Sequence, residues 1–73
     1  MNSDEDKAVE IRKNLINRFP DSAFMVTYID GHLDIDFIGG KLHQYNFSFP
    51  EEVELQIMDA VWEVLPDYYL WVH

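Results

Sequence analysis

Chemistry needs particular side chains at particular spacings, and in this sequence the best-placed set is His32-x-Asp34-x-Asp36. Alternate residues share one face of a strand, about 7 Å apart. That is too far for three neighbours to close on one ion, so two solvated aspartates on an open sheet face is the expected reading. His43 stands alone and is expected near the inner sheet face as a hydrogen-bonded residue, and His73 is terminal. Nucleophilic catalysis requires Ser, Thr or Cys with an oriented base. Cysteine is absent, and of the serines Ser3, Ser22 and Ser48, two precede expected helices as caps. The glycines Gly31, Gly39 and Gly40 fall in hairpin turns, so no phosphate-cradling loop opens a helix. Glu51, Glu52 and Glu54 are paired carboxylates without an expected cleft to separate their pKa values. No catalytic residue, cofactor or metal site is assigned, and the protein is read as a non-enzyme.

The longest element expected to carry these residues runs from Pro50 to Leu65. Ser48 and Glu51 have capping-box spacing, Pro50 suits a first turn, and Pro66 ends the run. Glu51, Glu52 and Glu54 place negative charge at the positive end of the helix dipole. At about 100° per residue, Val53, Ile57, Ala60, Val61 and Val64 form one apolar arc. Glu52, Gln56, Asp59 and Glu63 form a solvated arc, while Leu55, Met58 and Trp62 make a second apolar group. A surface helix needs only one such stripe. The second must be covered by the C-terminal tail, by a second copy or by a partner.

Seventy-three residues suffice for one small domain, 1–73, and an apolar fraction of 48% is too high for a disordered chain. The N-terminus, Met1-Asn2-Ser3-Asp4-Glu5-Asp6, lacks the pattern of a signal peptide, and no run approaches the roughly 20 apolar residues of a membrane span. A soluble, cytoplasmic protein is expected. Net charge is −9. Residues 1–18 balance four acids against four bases, whereas the remainder carries ten acids against Lys41 alone. Phosphate binding requires Lys and Arg, so nucleic acid and anionic membrane are disfavoured as partners. A basic protein partner is favoured.

Taken in order, Ser3 caps a helix of about residues 4–18, with Ala8, Ile11, Leu15, Ile16 and Phe19 on one stripe. Val9 flanks that stripe, and the stem of Arg12 packs within it while its head reaches outward. Residues 23–29 and 32–38 form a hairpin around Asp30-Gly31. Pairing Ile29 with His32 sets Phe24 beside Phe37, Val26 beside Ile35 and Tyr28 beside Leu33, all on one face. Residues 41–47 are expected as a third strand, after a three-residue or bulged loop in which Gly40 takes positive φ. The predicted fold is a two-layer α+β domain of order αβββα, with both helices on one face of a three-stranded antiparallel sheet. An aromatic tail, 67–73, ends it as a strand or a helical turn.

This order resembles that of the double-stranded-RNA-binding domain, a family that binds RNA through basic residues at the start of its last helix. Here that position reads Pro50-Glu51-Glu52-Val53-Glu54, which argues against RNA. In charge and layout the chain is similar to small acidic anti-restriction and anti-CRISPR inhibitors of phage and mobile elements, which set carboxylates where a nuclease expects phosphates. The expected function is a protein-binding inhibitor or adaptor, a DNA mimic in that sense. Its acidic surface comprises Asp34, Asp36, Glu51, Glu52, Glu54, Asp59 and Glu63. An apolar surface of Leu55, Met58, Trp62, Tyr68, Tyr69 and Trp71 contacts the partner or forms a homodimer. The alternatives are a self-associating structural domain and a toxin-neutralising immunity protein.

Overall fold

The computed structural model describes residues 3–45 and 48–68. Helix α1 spans Ser3–Arg18, and its buried Ala8, Ile11 and Leu15 recur at helical spacing. Asp4, Glu5 and Asp6 sit in its first turn, where they oppose the positive end of the dipole. Strands β1 (Ser22–Ile29) and β2 (His32–Gly40) follow as an antiparallel hairpin. Asp30 at φ 52° and Gly31 at φ 79° form its turn, and two successive positive φ values suit the right-handed twist of the strands. The register pairs Ile29 with His32, Tyr28 with Leu33, Val26 with Ile35 and Phe24 with Phe37, as the alternation requires. Beyond Phe37 the ladder slips by one, pairing Ala23 with Gly39 and leaving Ile38 as a bulge.

Among the described residues there is no third strand. The described sheet has two strands, and residues Leu42–Tyr45 form a turn of 3-10 helix instead. The architecture is a two-stranded antiparallel sheet with two helices, so the three-stranded αβββα layout is corrected, and the likeness in element order to double-stranded-RNA-binding domains goes with it. Gly40 has the expected positive φ of 85°, yet it turns the chain out of the sheet rather than into another hairpin arm. Leu42 then plugs the core, and Phe49 follows it seven residues later. His43 is not turned inward as expected: it is exposed, with Nδ1 2.7 Å from the Phe37 carbonyl.

Helix α2 covers Glu51–Trp62, with a further turn closed by Leu65 N–H on the Val61 carbonyl. The expected capping box at Ser48 does not form. Pro50 is the N-cap residue, without a side-chain cap hydrogen bond, and its carbonyl accepts the first bond from Glu54 N–H. Residues 48 and 49 are instead spent on seating Phe49, whose ring lies 4.9 Å from that of Phe37 and 5.8 Å from that of Tyr45.

One core joins these elements: Ile11 and Leu15 from α1, Phe24, Leu33, Ile35 and Phe37 from the hairpin, and Ile57, Ala60 and Val61 from α2, closed by Leu42, Phe49 and Leu65. No buried polar side chain interrupts it among the described residues. Helix–helix packing is fixed at its polar margin by Asn14 Nδ2 donating to the Ala60 carbonyl at 3.2 Å, and by Arg18 paired with Glu63 at 3.2 Å.

Candidate functional site

The seven candidate carboxylates do not form one surface. Asp34 and Asp36 alternate with the buried Leu33, Ile35 and Phe37, so they project from the sheet face that the helices leave bare. Met25, Thr27 and His32 share that face and are exposed. Glu51, Glu52, Asp59 and Glu63 lie on the solvent side of α2, which packs on the opposite sheet face, while Glu54 is half-buried. The strand pair and the helix carboxylates are thus two separate acidic faces.

Glu63 is committed to Arg18, and Glu10 lies 3.8 Å from Lys13. No cation stands within ion-pair distance of Asp34, Asp36, Glu51, Glu52, Glu54 or Asp59 among the described residues. The three acids of the first α2 turn have an internal reason to be there, since they oppose the helix dipole. Asp59, in the second half of the helix, has none. Aspartate is also a poor strand residue, so Asp34 and Asp36 carry a local cost without a local partner.

The second apolar group of α2 is divided by the fold. Met58 is buried, and Trp62 is half-buried with Nε1 donating to the Tyr68 carbonyl at 2.6 Å. Tyr68 in turn places its hydroxyl 2.9 Å from the Leu33 amide, tying the segment after α2 to the edge of β2. The chain therefore covers much of this face itself. Leu55 alone of the group stays largely exposed, at 51%, in the midst of the α2 carboxylates. Tyr69 and Trp71, with the strand-or-turn question for the tail, lie outside the described residues.

No group of three or more His, Asp or Glu side chains converges on a metal-sized site among the described residues. A groove of about 310 Å³ is open and lined by Lys7, Tyr28 and Val64 to Tyr68. No helix among the described residues is long and apolar enough to cross a membrane. No protein-family model matches the chain, and neither a curated protein nor a solved structure matches it.

The sequence missed two features of this surface. Arg12 sends Nε to the Phe24 carbonyl at 3.2 Å, and Asp4 accepts from the Asp30 amide at 3.3 Å. Both lock α1 against the exposed edge of β1. Nothing local signals either contact, because each partner is a backbone group brought close only by the packing of helix on sheet.

Proposed function

We propose that this is a protein-binding module, an inhibitor or adaptor, that lays the solvent face of α2 on a basic surface of its partner. The observation that carries the reading is the row of Glu51, Glu52 and Asp59 around exposed Leu55, solvated and without cationic partners among the described residues. Carboxylates so placed would stand in for the phosphates that a basic groove otherwise receives, steering the encounter and setting specificity. Leu55 would supply the desolvated centre that charge alone does not. The reading is non-catalytic, places the protein in the cytoplasm, and fits a nuclease inhibitor of the DNA-mimic kind or an immunity protein equally.

The test is charge reversal on one face at a time. Glu52→Lys with Asp59→Lys is expected to leave the fold intact, since both side chains are exposed. It should abolish capture of a cationic partner that the wild type retains and releases steeply with salt. Added DNA should displace that partner from the wild-type protein. Capture that survives the double reversal and resists DNA would overturn the reading.

A further inference from the structure

The face of the hairpin that the helices leave bare is not uniformly polar. Alternation puts Met25, Thr27 and Ile29 of β1 on it, together with Asp34, Asp36 and Ile38 of β2. Three large apolar side chains stay in water there: Met25 is 54% exposed, Ile29 66% and Ile38 56%. A single exposed apolar residue needs no account, but several on one face mark an interaction surface. The register sets Met25 beside Asp36 and Thr27 beside Asp34. The face is therefore divided along its length, uncharged on β1 and anionic on the middle of β2. Neither aspartate has a cation within ion-pair distance among the described residues.

We propose that this face docks one amphipathic helix of a partner protein, its apolar stripe along β1 and a row of Lys or Arg over β2. Width fits a single helix. Two strands about 4.8 Å apart make a ribbon about as broad as one helix of roughly 10 Å. The other face of the same ribbon already packs against helices, through Phe24, Leu33, Ile35 and Phe37. Spacing fits as well. Asp34 and Asp36 stand about 7 Å apart on the strand, close to the rise of about 6 Å between helix residues i and i+4. Two bases one turn apart would thus meet both carboxylates. Met25 and Ile29 lie about 13 Å apart along β1, between two and three helical turns.

Charge selects this occupant over others. Two copies stacked through this face, with their sheets about 10 Å apart, would gather four aspartates in one layer. No Lys or Arg lies on either strand to offset them. Nucleic acid and anionic membrane are repelled by the same carboxylates. A basic helix instead supplies the counter-charges, while the apolar row along β1 gives it something to bury. The helices cover the opposite side of the sheet, so this inference stands independently of the docking face proposed for α2.

The experiment titrates the full chain with a synthetic helical peptide of about five turns, bearing a leucine stripe beside lysines at i and i+4. Affinity is read from the amide shifts of Met25, Thr27, Ile29, Asp34 and Asp36, which are expected to move together. Asp34→Lys with Asp36→Lys should weaken binding at least about tenfold, since two attractive pairs become repulsive. Ile29→Thr keeps a β-branched strand residue and should weaken it roughly three- to tenfold by removing apolar contact. Glu52→Lys with Asp59→Lys on α2 changes net charge by the same amount and should leave this affinity within about twofold. A scrambled peptide of the same composition that binds equally well would overturn the proposal. So would equal loss in the sheet and α2 variants, shifts confined to α2, or a wild type that sediments as a dimer through this face without peptide.

Discussion

Gly40→Ala is expected to leave little folded protein. Gly40 closes the hairpin opposite Ser22 with φ at +85°, where an L side chain is strained by about 1–2 kcal/mol. The larger cost is steric. A Cβ at this position would run into the backbone carbonyl of Asp21 and lie 2.5 Å from Ser22 Cα. Both are main-chain atoms at the start of β1 and cannot rotate aside. Relieving the clash means moving the entry to the strand, or the turn that delivers Leu42 to the core. Small domains of this size hold roughly 4–10 kcal/mol of stability, so a loss of about 3 kcal/mol or more is a large share of the total. Gly39→Ala is the control: its Cβ would meet only the Ala23 Cβ, at 3.8 Å. Thermal unfolding followed by circular dichroism should separate the two variants by tens of degrees. Equal melting would show that the tight approach at Gly40 is not needed.

Phe37→Ala carries the second large effect. The ring is buried, edge-on to Phe24 at 5.7 Å and tilted against Phe49 at 4.9 Å. Through Phe49 it anchors the connection between the hairpin and α2. Truncating it removes the contact area and opens a cavity between sheet and connection, a loss of about 3–5 kcal/mol. The urea midpoint should fall steeply while the slope of the transition stays near the wild-type value, as for a destabilised native state. A stability loss of under about 1 kcal/mol would mean that the aromatic cluster is peripheral.

The success at the hairpin and the failure just after it have a common cause. Between Phe24 and Phe37, strict alternation and the Asp30-Gly31 turn are independent signals that agree, and a slip of one residue would turn every apolar side chain to water. From residue 41 the alternation of Tyr45 and Phe47 imitates a strand, but among the described residues of the segment the buried positions are Leu42 and Phe49, seven apart and on no strand period. One sharp turn at Gly40 decided between the two, and its steric reason lies in Asp21, nineteen residues away. Ser48 and Glu51 had capping-box spacing for the same kind of reason that misled at 41–47: local pattern, overruled by the need to bury Phe49. The candidate site was legible as composition. That its carboxylates divide between two faces follows only once the bare side of the sheet and the outer side of α2 are known to point apart.

Whether α2 presents the proposed acidic docking face is read by nuclear magnetic resonance of the labelled protein titrated with its captured cationic partner. The largest shift changes should fall on residues 51–63, centred on Glu52, Leu55 and Asp59, and should fade as salt is raised. Changes confined to residues 22–40, on the bare sheet face of Asp34 and Asp36, would contradict it.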